Sequence, residues 1–226
     1  MEEEKYMRRC IELAKNGLCN AAPNPMVGAV IVCDGRIIGE GYHIRCGEAH
    51  AEVNAIRSVK DESLLKRSTI YVSLEPCSHY GKTPPCADLI IEKQIPRIVI
   101  GCQDPFSQVA GRGIQKLKDA GREVIVGVLE SECRQLIRRF ITFNTLHRPY
   151  ITLKWAESAD HFIDLERTDG QPVVLSSPLT SMLVHKRRAE SVAIMVGRRT
   201  ALLDNPSLTV RNWYGRNPIR VVLDRT

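Results

Sequence analysis

The chain has few aromatic residues and no long apolar run, and both shortages exclude classes of function. Aromatics make up 5% of the 226 residues, and no basic stripe is interleaved with them as a binder of single-stranded nucleic acid requires. No stretch approaches the roughly 18 uninterrupted apolar residues of a membrane span. The net charge of +6 does not demand nucleic acid and suits phosphorylated small molecules equally well.

The pattern of the first residues predicts no secretory leader, and the cysteines predict no disulfide framework. Its first segment, MEEEKYMRRCIELAKNG, has the pattern of a charged amphipathic helix and not of a signal peptide. The eight cysteines show no framework spacing, so reduced thiols are the simpler interpretation. We therefore expect a cytoplasmic protein. A hydrophobic fraction of 43% suits a globular core in one large domain or two small ones.

Helical and strand patterns alternate along the first two thirds of the chain, which predicts an α/β fold with a mixed or parallel sheet covered by helices. The expected strands are MVGAVIVC, RIIGEGYH, TIYVSLE, PRIVIGC and EVIVGV. A last helix, SECRQLIRRFITFNTLH, leads to Arg148-Pro149, where the pattern restarts. We therefore predict domains over 1–147 and 148–226. The second should open with a strand at YITLKWAESAD, followed by a helix at SPLTSMLVHKRRAES and strands at VAIMVG and PIRVVLD.

Four residues in the first domain have the pattern of a catalytic zinc site. His50 and Glu52 stand two positions apart, and Cys77 and Cys86 follow. One imidazole and two thiolates suit a tetrahedral zinc that keeps its fourth position open for water. Glu52 is then free to act as the proton carrier.

The spacing places this metal off the ends of helices. HAEVNAIRSV has a helical apolar pattern that starts at His50, and ADLIIEKQ starts directly after Cys86. On one continuing helix, His50 and Glu52 would point about 200° apart, so one ion cannot use both from the side. Helix amino ends favour anions such as thiolates.

A structural zinc site is the main alternative at this motif. Structural sites close with four Cys or His ligands, usually in short paired spacings. His79 and Cys46 are the nearby residues that could supply a fourth ligand. A second alternative is that the four motif residues are ordinary buried side chains, although the joint pattern is much more specific than any one of them.

The sequence HAE followed by LEPCSHYGKTPPC resembles the zinc-dependent cytidine deaminase superfamily. The eight residues between the cysteines are similar to those of its riboflavin-biosynthesis branch, the bifunctional deaminase/reductases, as are APNPMVGAVIV, GEGYH and DPFSQVAGRGI. The resemblance implies a three-layer cytidine-deaminase-like domain, followed by the start of a dihydrofolate-reductase-like α/β domain. It also implies Zn²⁺ and deamination of 2,5-diamino-6-(5-phosphoribosylamino)pyrimidin-4-one to 5-amino-6-(5-phosphoribosylamino)uracil.

The same resemblance implies a substrate pocket in the deaminase domain. Its residues would be Asn24, His43, His79, Lys82 and Asp104. Lys82 and His79 could meet a phosphate, and Asn24 and Asp104 could meet ribose or base edges. Asn24 stands between two prolines and is equally consistent with a turn, and His79 with a solvated loop residue.

The second domain resembles the opening of the NADPH-dependent reductase domain of this branch, most closely at VGRRTALLDNPSLTVR. The resemblance assigns Ala156, Thr200 and Asp204 to the NADPH side, and Arg188, Leu208 and Arg211 to the phosphorylated substrate. A surface charge on a helix is the alternative for Arg188. Reductase domains of the family continue well beyond the position of Thr226, so a polypeptide that ended there would be expected to deaminate but not to reduce.

The expected partner is a small phosphoribosylaminopyrimidine, with no nucleic acid and no membrane. An incompletely covered second domain also suggests a homo-oligomer. Two other functions stay open at this point. One is a nucleoside or tRNA deaminase, and the other is a non-catalytic module that zinc stabilises.

Overall fold

A five-stranded mixed sheet forms the centre of the first part of the chain. The structure is a computed structural model, and it describes residues 2–80, 84–106, 110–167 and 170–225. The strands are β1 (Gly28–Cys33), β2 (Arg36–Tyr42), β3 (Thr69–Leu74), β4 (Arg97–Cys102) and β5 (Glu123–Val126). The helices are α1 (Glu2–Lys15), α2 (Ala51–Ser58), α3 (Cys86–Glu92), α4 (Arg112–Asp119), α5 (Glu130–Leu136) and α6 (Arg138–Leu146), with a 3-10 helix at Glu62–Arg67.

Helices cover both faces of this sheet because successive strand side chains point to opposite faces. In β1, Ala29 and Ile31 join a buried cluster with residues of α2, α3 and α4. Val30 and Val32 join a second buried cluster with residues of α1 and α5. The first unit is therefore three-layered, as the sequence predicts.

The order of the strands brings five chain segments to one edge of the sheet. The order is β2-β1-β3-β4-β5; β1 is antiparallel to β2 and β3, and β3, β4 and β5 are parallel. The segments after β2, β3, β4 and β5 and the segment before β1 consequently meet at this edge. Ligand sites in open α/β sheets occur at the carboxyl ends of strands.

Close packing fixes α2 against this edge. A Cβ atom added to Gly41 in β2 would lie 2.3 Å from the backbone nitrogen of Ala55 and 2.6 Å from the carbonyl oxygen of Ala51. Only glycine leaves room for the α2 backbone there. The amino end of α2 is thereby held beside the end of β2.

One helix boundary in this unit differs from the prediction. A single helix was expected over 131–147, but α5 and α6 are separated at Ile137, whose φ of −101° and ψ of 17° depart from helical values. Ile137 is buried in the core together with Cys133. The single predicted helix is therefore two consecutive helices in the structure.

The second unit, Ile151–Thr226, contains a parallel pair of strands. Its elements are α7 (Pro178–Ala189), β6 (Ala193–Gly197), α8 (Arg198–Asp204) and β7 (Ile219–Leu223). The expected helix and two later strands are present, and the unit is α/β. Ser177 caps α7 by accepting a hydrogen bond from the backbone N–H of Thr180. The boundary at 147/148 and the dihydrofolate-reductase-like architecture stay predictions.

The strand predicted from Tyr150 is wrong, because 150–158 form no strand. Ile151, Leu153 and Trp155 alternate with polar residues, as in a strand with one buried face, but all three side chains are more than half exposed. No strand among the described residues pairs with this segment, and an unpaired strand leaves its backbone groups without partners.

In the described part of the chain, no helix combines the length and the apolar character needed to cross a bilayer.

Candidate active site

His50, Cys77 and Cys86 place one ligand atom each within 4.8 Å of one another. The Nδ1 atom of His50 lies 3.6 Å from Sγ of Cys77 and 3.4 Å from Sγ of Cys86. A tetrahedral zinc with bonds of about 2.3 Å to sulfur and about 2.0 Å to nitrogen needs a nitrogen–sulfur separation of about 3.5 Å. The three donors therefore fit a zinc ion as they stand.

Two helix starts and a strand end position these donors. His50 is the N-cap residue of α2, Cys86 is the first residue of α3, and Cys77 follows β3. The backbone N–H of Cys86 donates to Sγ of Cys77 at 3.3 Å, and such a bond favours the thiolate. The metal group therefore lies at helix amino ends, where the helix dipole also favours negative charge.

The two thiols differ in acidity. A hydrogen bond from the Cys86 thiol, together with His50 and the backbone N–H of Cys86, holds the pKa of Cys77 well below its ordinary value. The pKa of Cys86 is raised, first by Cys77 and then by burial. Cys77 is therefore the sulfur of this close pair that ionises first.

Glu52 is buried beside these donors, in the first turn of α2, with 3% of its surface exposed. Burial raises the pKa of its carboxyl to about 7, and the neighbouring Cys77 acts in the same direction. A carboxyl with that pKa can both take and release a proton near neutral pH. Glu52 is not among the residues that group as metal donors.

His43 and Asn24 form a second polar pair at the site. The Nδ1 atom of His43 lies 3.2 Å from the carbonyl oxygen of Ala49, so this nitrogen carries the ring proton. Burial lowers the pKa of His43, which favours the neutral ring. Its Nε2 atom then accepts from Nδ2 of Asn24 at 3.2 Å. This leaves the amide oxygen of Asn24 as the acceptor that is not committed to the pair.

A cavity of about 260 Å³ joins these residues. Four of the five substrate residues predicted for the first domain line it: Asn24, His43, His79 and Asp104. His50, Glu52 and Cys77 line it as well. Lys82, the other predicted substrate residue, lies outside the described residues. Neither His79 nor Cys46 belongs to the metal group among the residues that the structure describes, so neither closes it there.

The sequence analysis missed several residues that line this cavity, and these are Pro25, Val27, Leu74, Glu75, Phe106, Phe140 and Asn144. Phe140 and Asn144 are one turn apart on α6, and nothing in their local sequence distinguishes them from other helix residues. Glu75 directly precedes the Pro-Cys of the metal motif, so its position was a usable signal.

Burial of Asp104 raises the pKa of its carboxyl, and its Oδ1 atom accepts from the backbone N–H of Phe106 at 2.9 Å.

In the second unit, the residues assigned to a phosphorylated substrate lie close together. Arg188 donates to the carbonyl oxygen of Thr209 at 3.1 Å, and Leu208 is buried. Burial and the nearby charge of Arg211 lower the pKa of Arg188. The Arg188 guanidinium is therefore partly withdrawn from solvent and is not a free surface charge on the helix.

Among the described residues, no hydrogen bond or ion pair joins the three residues assigned to NADPH. Ala156 lies in the irregular segment that replaces the predicted strand, and Thr200 is an exposed residue of α8. Asp204 ends α8 and accepts a hydrogen bond from Arg167 at 2.5 Å. These three positions stay predictions.

The fold and the metal donors define the class of the first unit. Residues 1–102 match the family described as the cytidine and deoxycytidylate deaminase zinc-binding region, and residues 149–226 match the RibD C-terminal domain. The first match includes the three metal donors and Glu52. The first unit is thus a cytidine-deaminase-like domain with a zinc-binding motif.

Individual relatives agree with both matches. The chain is 43% identical over 223 residues to the riboflavin biosynthesis protein RibD of Aquifex aeolicus, with 98% of this chain and 62% of the relative covered. The solved structure of the diaminohydroxyphosphoribosylaminopyrimidine deaminase/5-amino-6-(5-phosphoribosylamino)uracil reductase of Thermotoga maritima is 48% identical with a TM-score of 0.91. The match covers 99% of this chain and 63% of the Thermotoga maritima chain. The structure of RibD of Acinetobacter baumannii is 39% identical with a TM-score of 0.91. That match covers 100% of this chain and 64% of the Acinetobacter baumannii chain.

Over nearly its whole length the chain is thus similar to RibD proteins of riboflavin biosynthesis, which confirms the resemblance found in its sequence. It spans less than two thirds of the length of each of these relatives.

Proposed function

We propose that the first unit hydrolytically deaminates 2,5-diamino-6-(5-phosphoribosylamino)pyrimidin-4-one to 5-amino-6-(5-phosphoribosylamino)uracil. The observation that carries this proposal is the joint placement of the three metal donors, the buried Glu52 and the predicted substrate residues around one cavity. The Thermotoga maritima relative is named for this deamination. The family match over 1–102 supports the same class of reaction.

His50, Cys77 and Cys86 would hold a zinc ion, because their spacing fits its tetrahedral bonds. A bound zinc supplies Lewis-acid chemistry and makes a nucleophile available from water at neutral pH. The two cysteines and the neutral ring of His50 balance the charge of Zn²⁺.

Glu52 would carry the proton in this reaction. Water adds its oxygen to the ring carbon that bears the exocyclic amine, and Glu52 accepts the proton that water gives up. Glu52 then delivers that proton to the adjacent ring nitrogen. It next takes the second proton, from the hydroxyl group now on the tetrahedral carbon, and passes it to the amine. The carbon–nitrogen bond then breaks, the carbonyl of the product forms and ammonia is released. A pKa of about 7 suits both directions of transfer near neutral pH.

The substrate residues would orient the ring. The uncommitted amide oxygen of Asn24 is suited to accept an N–H of the base, because His43 holds the amide nitrogen. His79 and Asp104 also line the cavity and offer further polar contacts. Lys82 would be suited to the phosphate.

The second unit would belong to the NADPH-dependent reductase portion of the family. The match to the RibD C-terminal domain over 149–226 supports this. Arg188 and Arg211 would bind the substrate phosphate, since guanidinium groups bind phosphate through paired hydrogen bonds. Ala156, Thr200 and Asp204 would lie on the cofactor side. Self-association would cover apolar side chains such as Met195 and Ile219, which are exposed on β6 and β7.

A cytoplasmic location is also a proposal, and the thiols support it. All eight cysteines are free: five are buried, two are half-buried and one is exposed. Proteins of oxidising compartments commonly use such residues in disulfides.

Ammonia release with three substrates tests the proposed deamination. We expect the zinc-loaded chain to release one ammonia per molecule of the phosphoribosylaminopyrimidine, with turnover on cytidine or tRNA lower by at least about 100-fold, because a missing polar partner in a fitted site is costly. A coupled ammonia assay measures all three. Faster turnover on cytidine or tRNA would contradict the proposed substrate, and no turnover of any substrate would favour a non-catalytic module.

A further inference from the structure

Two buried carboxylates line the cavity, and their surroundings differ. Glu52 and Glu75 are 3% and 4% exposed. Glu52 lies against the metal donors, and its pKa is displaced towards neutrality. Glu75 follows β3 and is surrounded by backbone N–H groups. The two carboxylates are therefore suited to different tasks.

Four backbone N–H groups donate to the side chain of Glu75. Those of Asp104 and Gly111 donate to Oε2 at 3.1 and 3.0 Å, and those of Gly113 and Ile114 donate to Oε1 at 2.9 and 3.3 Å. A carboxylate is an acceptor-only group with about four lone-pair positions. All of its acceptor capacity is consequently used, and no oxygen is left to exchange a proton with a substrate.

The sequence around α4 is adapted to receive this carboxylate. α4 has no acidic residue in its first turn, and its N-cap, Gly111, has no side chain to cap the helix. A Cβ atom added to Gly113 would lie 2.0 Å from the carbonyl oxygen of Pro76, so a glycine is needed for this close approach. Glu75 therefore supplies the negative charge that the amino end of α4 attracts.

These contacts connect the metal motif to the part of the cavity wall that Asp104 and Phe106 form. Glu75 stands two residues before Cys77, and it holds the backbone of Asp104. Asp104 in turn accepts the N–H of Phe106, and both residues line the cavity. One side chain thus fixes the position of that wall relative to the metal donors.

We propose that Glu75 is a positioning residue of the deaminase, which holds the Asp104–Phe106 wall in place for substrate binding and takes no part in proton transfer. This inference rests on the proposed deamination. Loss of the anchor should weaken substrate binding, while the metal donors and Glu52 retain their chemistry.

Glu75→Gln tests the proposal, because glutamine keeps the shape but presents an amide N–H₂ to backbone donors. Two of the four backbone N–H groups then lose their acceptor. We expect KM for the phosphoribosylaminopyrimidine to rise by at least about 10-fold, since an unsatisfied buried donor is costly. We expect kcat to change by less than about 3-fold, and zinc stoichiometry to be unchanged. Steady-state ammonia release and metal analysis give these values.

Glu40→Gln is the matched control. Glu40 accepts two hydrogen bonds from Arg9 at 2.7 and 2.9 Å, but it does not line the cavity. Its replacement should lower thermal stability and leave KM unchanged. A KM effect confined to Glu75→Gln therefore separates positioning from a general loss of stability.

Hydrogen exchange on the unmodified chain keeps the proposal testable if Glu75→Gln does not fold. The amide protons of Asp104 and Gly111 should exchange at least about 100-fold more slowly than in an unstructured peptide. Exchange at the unstructured rate would overturn the proposal. An unchanged KM in Glu75→Gln would also overturn it, as would a loss of kcat at constant KM, which would make Glu75 a proton carrier. Absence of deamination by the unmodified chain would instead refute the proposed function.

Discussion

Glu52→Gln is expected to lower kcat for deamination by about 10²- to 10⁴-fold, the range that a positioned proton carrier contributes. Glutamine has nearly the same shape as glutamate but cannot take a proton from water. Because Glu52 is not one of the metal donors, the zinc content should be unchanged. Ammonia release and elemental analysis on the same preparation measure both quantities.

Glu48→Gln is the control for this substitution. Glu48 lies just before the motif and is paired with Arg45 on the surface, with half of its side chain exposed. Its replacement should leave kcat within about 2-fold, since exposed ion pairs contribute little. Equal turnover of Glu52→Gln and the unmodified chain would contradict the role of Glu52. Loss of zinc from Glu52→Gln would show that this carboxylate supports the metal as well.

Cys86→Ser is expected to abolish deamination through loss of the metal. The thiolate of Cys86 is one of three protein donors, and serine offers a poor ligand in its place. Changes in the second shell of a metal site already cost 10- to 100-fold in affinity, so we expect loss of a ligand to cost more than about 100-fold. Titration of the zinc-depleted protein against a competing chelator measures the affinity.

Cys102→Ala controls for the loss of a buried sulfur. Cys102 is fully buried at the end of β4, and its thiol donates to the carbonyl oxygen of Ser73. The variant should lose some stability but bind one zinc with unchanged affinity. Retention of tight zinc binding by Cys86→Ser would require a different donor in the site.

The metal motif could be predicted from sequence because its chemistry depends on residue type and local position. His50 and Cys86 start helices, and their apolar patterns show where those helices begin. The sheet of the first unit, covered by helices, followed from alternating helix and strand patterns. Both depend on short-range features that a single sequence contains.

The backbone partners of Glu75 and the place of Asn144 in the cavity could not be predicted by the same reasoning. The order of the strands brings Glu75 to the loop after β4, 29 to 39 positions further along the chain. Asn144 lines the cavity from α6, which starts after the break at Ile137. Neither the strand order nor the break has a local sequence signal.

The wrong strand after Tyr150 has a related cause. An alternating pattern shows that a segment could form a strand, but a strand also needs a partner. The side chains of Leu153 and Trp155 are 77% and 61% exposed. No partner strand is present in the part of the second unit that the structure describes.

X-ray absorption at the zinc edge tests most directly whether this is a catalytic zinc site. We predict one zinc per chain with two sulfur donors at about 2.3 Å, one imidazole nitrogen at about 2.0 Å, and one further oxygen donor that exchanges with solvent or substrate. His50, Cys77 and Cys86 account for the three protein donors. A sphere closed by four protein ligands, or a third sulfur, would contradict the assignment and indicate a structural metal.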